Sequence, residues 1–344
     1  MTAAALAAVR PRPWLAPLGA MLGGGAALRA ALYRRGVLPR VRLASPVISI
    51  GNLAVGGRGK TPLVELAAGW LRDAGRPVAI LSRGYGGSFR GEALVVSDGE
   101  RVLAGAAAAG DEPVMLARAL PGVVVAVGRD RGRLGRIVES RFGPRVCLLD
   151  DGFQHLRLAR DLDVVCVEAE DLADRPLPAG ALRERPSALA RADLIAVTGD
   201  ADGAAQEACR ALGELLGTAR VFRVRRRPVG FVDVAGIVAP APARAFLVSG
   251  IARPQRFARD VASAGSAVRG HAVFPDHHRF RLEEIEAAAQ DARALGADAI
   301  VTTAKDVVRL PDGHAGLPWL VFRVRSEVDD EVRFRERLLA AAVP

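Results

Sequence analysis

An apolar run, Val47-Ile48-Ser49-Ile50, is followed by a turn, Gly56-Gly57-Arg58-Gly59-Lys60-Thr61, that holds three glycines and one of the only two lysines in the chain. The run reads as a strand buried on both faces, and the stretch after the turn as a helix from Thr61 to about Arg72. Strand, glycine-rich turn and helix in that order form a βα unit, which implies a mostly parallel sheet flanked by helices. The glycines allow backbone N–H groups to close around an anion at the start of the helix. Of 48 basic Lys and Arg residues, only Lys60 and Lys305 are lysine. A lysine that survives such a bias marks a place where a compact ammonium, not a broad guanidinium, is needed. The strict phosphate-loop pattern asks for glycine five residues before Gly59, where Ala54 stands. A glycine-rich turn with an incidental lysine is the bland alternative. The combination nevertheless predicts that Gly56, Gly57, Arg58, Gly59, Lys60 and Thr61 surround the phosphates of a nucleoside triphosphate, ATP or GTP, with Thr61 placed to hold Mg²⁺.

The rest of the chain has room for such a site. At 344 residues, half of them hydrophobic, it can build two domains with substantial cores. Cys147, Cys166 and Cys209 lie far apart, and the first two fall inside apolar runs, so they read as core thiols and exclude a disulfide framework. The net charge of +10 accompanies a general preference for arginine and is not read as nucleic-acid binding. Its distribution is more telling. Residues 1–64 carry eight arginines, Lys60 and no acid, so that segment alone is +9. The segment also contains the uncharged stretch from Pro13 to Leu28, followed by Leu32 and Tyr33 between Arg29, Arg34 and Arg35. An apolar surface fringed by arginine suits an anionic leaflet. The stretch is short for a span, and Pro17 and Gly23-Gly24-Gly25 are expected to interrupt it, which favours a helix lying on the membrane. A cleaved export signal and a helix packed on its own domain are the alternatives.

Further apolar runs, Val78–Ser82, Val123–Val127, Val146–Leu149, Val164–Val167 and Leu194–Val197, alternate with helix-like stretches and extend the parallel sheet. In such a sheet the ligand sits at the carboxyl ends of the strands. The run from Val146 ends in Asp150-Asp151, an arrangement that delivers carboxylates to a nucleotide's magnesium, and Gly152-Phe153-Gln154-His155 follows. By spacing alone, Gly110-Asp111-Glu112-Pro113 is a helix cap with acids in the first turn. Asp276-His277-His278 is equally a loop, since no third metal ligand stands nearby. His271 and His314 have no motif around them.

Beyond residue 220 the pentapeptide Val221-Phe222-Arg223-Val224-Arg225 recurs as Val321-Phe322-Arg323-Val324-Arg325. Between the copies lie strand-like Arg244–Ser249, Val268–Val273 and Ala299–Thr302, with helices from about Pro254 to Ala264 and Leu282 to Leu295. The expected organisation is a first domain over 1–220, with its membrane-proximal basic and apolar helix in about 1–44. A smaller α/β domain follows over 221–325, joined by a hinge of two paired strands. Residues 326–344 hold a terminal helix, from Glu331 to Ala342, that returns to the first domain.

Several of these segments together resemble the tetraacyldisaccharide 4'-kinase family, the membrane-associated kinases of lipid A synthesis. The matching text is Ser49-Ile50-Gly51-Asn52-Leu53 leading to the lysine loop and Pro62, then Ser82-Arg83-Gly84-Tyr85-Gly86, Gly110-Asp111-Glu112-Pro113 and Asp150 to His155. Pro178-Ala179-Gly180-Ala181-Leu182-Arg183-Glu184, Phe274-Pro275-Asp276-His277-His278 and Thr303-Ala304-Lys305-Asp306 complete it, with Ala304 standing where the family usually has glutamate. The resemblance implies transfer of the γ-phosphoryl group of ATP, with Mg²⁺, to the 4'-hydroxyl of an acylated glucosamine disaccharide 1-phosphate, the lipid A precursor. It further implies a peripheral, monotopic enzyme on the cytoplasmic face of the bacterial inner membrane, acting on that anionic surface as a monomer.

The resemblance also assigns roles. Asp111 accepts the hydroxyl proton and His277 orients it. Lys60 binds β and γ oxygens, and Thr61, Asp150 or Asp151, and Glu112 serve the metal. Asn52, Tyr85, Gln154, His155 and Arg183 support substrate and phosphate. Asp111 and His277 fall in different expected domains, so the pair is expected to assemble on closure. Lys305 is expected at a contact between the domains. Two other classes compete. A regulatory or metallochaperone GTPase would show an Asn-Lys-x-Asp guanine reader, but Lys305 is out of register for it. A soluble kinase or ligase of a small metabolite would leave the basic apolar N-terminus without purpose.

Overall fold

The computed structural model describes residues 12–199, 202–311 and 316–343, so His314 lies outside the described residues. Strands β1 (Val47–Asn52), β2 (Val78–Ser82), β3 (Leu94–Asp98), β4 (Val124–Val127), β5 (Val146–Asp150), β6 (Leu162–Glu168) and β7 (Leu194–Thr198) alternate with helices in the first part of the chain. Those helices are α1 (Ala16–Arg34), α2 (Lys60–Asp73), α3 (Ala106–Ala109), α4 (Asp111–Ala119), α5 (Arg131–Phe142) and α6 (Asp202–Leu216). The second part contains β8 (Val221–Asp233), β9 (Val238–Ala239), β10 (Arg244–Ser249), α7 (Pro254–Ser263) and β11 (Ala267–Val273). It continues with α8 (Leu282–Ala294), β12 (Ala299–Thr303), β13 (Trp319–Val328) and α9 (Glu331–Ala341).

The strands run β11-β10-β12-β13-β8-β7-β6-β1-β5-β2-β4-β3, with β9 pairing β8. The mostly parallel α/β sheet expected from the sequence is therefore present. Its antiparallel pairs are β3 with β4, β8 with β9 and β8 with β13. Every residue of β1, β2, β5, β6 and β7 is buried, because helices cover both faces. Against one face α2 packs Leu63, Val64, Ala67, Ala68 and Leu71, all fully buried. Each leucine-sized side chain so removed from water contributes about 1.5–3 kcal/mol. Edge strand β3, partly exposed, has too little apolar content to stand out in the sequence.

Strand β8 belongs to both halves: Val221–Arg223 pair in parallel with β7, and Val224–Asp233 pair antiparallel with β13. The two pentapeptide copies are offset, so that Val321 faces Val232 and Arg325 faces Arg227. After β13 the chain turns back as α9, where Phe334 is fully buried with its ring 5.0 Å from Phe222 and 6.2 Å from Trp70 of α2.

Helix α1 departs from expectation because Gly23, Gly24 and Gly25 stay helical and Pro17 does not break it. Pro17 lies in the first turn, where its missing N–H costs nothing. Docking explains Gly19 and Gly23, whereas a Cβ on Gly24 or Gly25 would meet nothing within 4 Å. Gly19 and Gly23 lie against Pro176, Ala179 and Arg185, and a Cβ on Gly19 would meet the Pro176 carbonyl oxygen at 2.7 Å. Arg185 also donates to the carbonyl of Ala20 at 2.7 Å. The opposite stripe, Trp14, Leu18, Met21, Leu22 and Leu28, is exposed.

Candidate active site

Parallel pairing brings the carboxyl ends of β1 and β5 side by side, with Ile50 opposite Asp150. The loop after β1 passes through Gly56 at φ +98° and Gly59 at φ +74°, the left-handed region that favours glycine, before Lys60 begins α2. A Cβ on Gly56 or Gly57 would meet nothing within 4 Å, so the loop is open on that side. Lys60 Nζ lies 3.0 Å from Asn52 Oδ1 and 3.1 Å from Asp151 Oδ1. Thr61 occupies the first turn of α2. The Arg58 side chain turns away from the loop's opening and donates to Glu168 and Asp171, each at 2.7 Å, while its carbonyl accepts from Thr198 Oγ at 3.1 Å. Arg58 therefore offers an anion in the loop only its backbone. Arg253 donates to the same Glu168 at 2.6 and 2.9 Å, tying the start of α7 to the loop.

The two acids that end β5 differ sharply. Asp151 adopts φ +59°, unusual outside glycine, and this turns its carboxylate towards Lys60 and Arg183, the latter at 2.7 and 2.9 Å. Burial opposes its ionisation, but Lys60 and Arg183 outweigh that and hold Asp151 at about 2. Asp150 is buried; one oxygen accepts from Ser82 Oγ at 3.1 Å and the other, Oδ1, has no hydrogen-bond partner. Burial, then the negative charges of Glu112 and Asp151, raise Asp150 well above the usual carboxylate range. Gln154 bridges the group, donating to the Asn52 carbonyl at 3.0 Å and accepting from Arg183 at 3.3 Å.

Asp111 opens α4 after Gly110 at φ +92°, where a Cβ would lie 2.3 Å from the Tyr85 carbonyl oxygen. Only glycine allows that approach, which seats Asp111 beside the Tyr85 turn. Asp111 Oδ2 is 2.8 Å from His277 Nδ1, so the two are joined in this structure, across the two parts of the chain. His277 has φ +61° and packs edge-on against Tyr85, with ring centroids 5.7 Å apart. On its other side His277 Nε2 lies 3.1 Å from Lys305 Nζ, which is also 3.3 Å from Asp276 and 3.8 Å from Glu112.

Most candidates thus fall into two clusters linked by the Ser82–Tyr85 turn: the loop with Asn52, Asp150, Asp151, Gln154 and Arg183, and the pair Asp111 and His277 with Tyr85 and Glu112. His155 stands apart, with Arg131, Asp130, Arg160 and Arg29 as its charged neighbours. Burial, aided by Arg131, lowers it to about 4, and its buried Nε2 has no hydrogen-bond partner. His271 accepts or donates to Ser249 at 2.8 Å, away from both clusters. Sequence reasoning missed Ser82 on Asp150, although Ser82 opens a motif it noted. It also missed Arg309, 3% exposed, whose Nε is 3.3 Å from Asp111 Oδ2. No spacing marks Arg309, because only the turn after β12 carries it to α4.

A glycine loop with lysine at a helix start, acids at the end of the adjacent strand, and a carboxylate–histidine pair opposite define a phosphate-loop phosphotransferase. Residues 11–343 match the family described as tetraacyldisaccharide-1-P 4'-kinase, and the chain belongs to that family. Among named relatives, tetraacyldisaccharide 4'-kinase of Anaeromyxobacter dehalogenans strain 2CP-C is 45% identical over 97% of this chain and 93% of its own length. The enzyme of Anaeromyxobacter sp. strain Fw109-5 is 48% identical over 91% of this chain and 88% of its own. Among solved structures, LpxK from Aquifex aeolicus in complex with ATP superposes with a TM-score of 0.77 at 30% identity, covering 96% of this chain and 98% of that one.

Proposed function

We infer that this chain transfers the γ-phosphoryl group of ATP to the 4'-hydroxyl of a tetraacylated glucosamine disaccharide 1-phosphate, forming the 1,4'-bisphosphate precursor of lipid A. The observation that carries this reading is the link between the two clusters through the Ser82–Tyr85 turn: Ser82 Oγ donates to Asp150 at 3.1 Å, and Tyr85 packs against His277, which is hydrogen-bonded to Asp111 at 2.8 Å.

In this reading Gly56 to Thr61 hold the triphosphate, and Lys60 exchanges Asp151 for the β and γ oxygens. The donor set fits one Mg²⁺ held by Thr61, Asp150 and Glu112 together with phosphate oxygens. Asp150 Oδ1 is a buried carboxylate oxygen with no partner, whereas Asp151 is occupied by two cations. Among the described residues no three His, Cys, Asp or Glu side chains converge on one point, which accords with an ion completed by the nucleotide. When bound, the metal neutralises charge on the transferring phosphoryl group. The 4'-oxygen attacks the γ-phosphorus, the bond to the β,γ-bridging oxygen breaks, and Asp111 takes the hydroxyl proton while ADP leaves. His277 orients Asp111, and Arg183 offsets phosphate charge. Asn52 and Gln154 brace the loop, Tyr85 borders the acceptor side, and His155 supports it from the α1 side.

The lipid is presented at a membrane. In this reading the exposed stripe of α1 and the arginines around it meet an anionic surface, and the enzyme works peripherally on the cytoplasmic face of the inner membrane, as a monomer. The first domain, about 1–220, and the smaller one, about 221–325, are joined by the β8–β13 ribbon acting as a hinge, with 326–344 returning to the first. Incubation of purified protein with γ-labelled ATP, magnesium and the tetraacyl disaccharide phosphate tests the reading. Label in the extracted lipid is expected; label appearing only as free phosphate would overturn it.

A further inference from the structure

Lys305, the second surviving lysine, has its backbone locked in a turn. Asp306 N–H donates to the Thr303 carbonyl at 3.1 Å, Thr303 Oγ donates to Asp306 at 2.6 Å, and Asp306 accepts from Gly250 N–H at 3.1 Å. The turn aims Nζ at three acceptors on two segments: His277 Nε2 and Asp276 Oδ1 on the loop before α8, and Glu112 Oε1 on α4. An ammonium carries three donors and no acceptor, so this arrangement matches it, whereas a flat guanidinium cannot turn its N–H groups to acceptors converging from three sides. The neighbouring guanidinium place is taken by Arg309, which donates to the carbonyls of His278 and Gly250 and pairs with Asp306 and Asp111.

We propose that Lys305 is a positioning residue that holds His277 in its Nδ1–H tautomer, leaving Asp111 Oδ1 as the single atom that receives the substrate proton. Since an ammonium only donates, the nitrogen facing Lys305 supplies its lone pair. Nδ1 then carries the ring proton and donates to Asp111 Oδ2 at 2.8 Å. The same Oδ2 is 3.3 Å from Arg309 Nε, so the histidine and the arginine meet this carboxylate on one oxygen. In the proposal the other oxygen, Oδ1, is the one that meets the acceptor hydroxyl. With Nε2 engaged by a cation, His277 orients the base and does not carry the proton onward. The left-handed backbone of His277 at φ +61° serves this geometry by keeping both ring nitrogens on named partners.

The proposal rests on the assignment of Asp111 as proton acceptor, and its test separates the two. In the unaltered protein labelled with ¹⁵N-histidine, long-range ¹H–¹⁵N spectra, assigned with His277→Gln, should show His277 with protonated Nδ1 and unprotonated Nε2 at neutral pH. An Nε2–H or doubly protonated ring would overturn the proposal whatever the variants do. Lys305→Met should lower kcat about 10- to 100-fold, within the range a positioned acid or base contributes, with KM for ATP unchanged, and should mix the tautomers. Lys305→Arg should not rescue it. Unchanged kcat in Lys305→Met, or rescue by arginine, would also overturn it. Asp111→Ala serves as the separate control: full kcat there would remove the base assignment itself while leaving the tautomer measurement standing.

Discussion

If α1 rests on a membrane through its outward stripe, placing charge there must weaken lipid binding without disturbing the fold. Met21 and Leu22 are 65% and 53% exposed, at the centre of the stripe. Fully burying such a side chain is worth about 1.5–3 kcal/mol, so the exposed fractions of the two leave roughly 2–3 kcal/mol to be gained from lipid. Two glutamates in their place lose that gain and bring two negative charges to an anionic surface, at about 1 kcal/mol each. The sum, about 4 kcal/mol, corresponds to roughly a thousandfold fall in partition coefficient. The assay is co-sedimentation of Met21→Glu/Leu22→Glu with vesicles of phosphatidylethanolamine and phosphatidylglycerol. Tryptophan emission adds a second readout, because Trp14 is 74% exposed while Trp70 and Trp319 are buried and should not respond. Val332→Glu on α9, where the side chain is 70% exposed on another helix, is the matched control and should bind like the parent. A double variant within threefold of the parent, or an equal loss in the control, would refute the reasoning. Thermal stability should stay within about 0.5 kcal/mol in all of them, since these side chains are mostly exposed.

Lys60→Arg should reduce kcat by at least about tenfold despite the conserved charge, because a guanidinium does not fit between Asn52 and Asp151 as the ammonium does; steady-state kinetics with normal turnover would count against the phosphate-loop assignment. His155 is held near 4 in the fold against about 6.5 unfolded, so the unfolded chain binds the extra proton between those values. Stability contributed there is complete above about pH 6.5 and is lost as pH falls towards 4, by about 1–2 kcal/mol after allowance for partial solvent screening. Melting curves from pH 7 to 5 should show this slope, and His155→Gln should flatten it. Phe334→Ala, which empties the contact among α9, Phe222 and Trp70, should destabilise the protein by about 3–5 kcal/mol in urea titration; a loss below about 1 kcal/mol would mean that α9 is not part of the folded unit.

The parallel sheet and the phosphate loop were legible in the residue string because both are local. Apolar runs such as Val146–Leu149 become strands wherever they are buried, and the glycines before Lys60 state their own backbone requirement. The sequence could also say that position 60 wanted an ammonium, since arginine was used almost everywhere else. It could not separate Asp150 from Asp151. They are adjacent, and their opposite ionisation comes from surroundings that only the fold supplies: burial and the Glu112 charge raise Asp150, whereas Lys60 and Arg183, the latter on the returning 176–185 segment, lower Asp151. Nor could it reveal that Gly23, expected to interrupt α1, is part of the surface on which that helix docks, or that Arg58 spends its charge on Glu168 and Asp171. Lys305 shows the division most clearly. Its rarity was visible in the composition, but its partners His277, Asp276 and Glu112 converge only in three dimensions, because distance in space, not along the chain, sets which donor meets which acceptor.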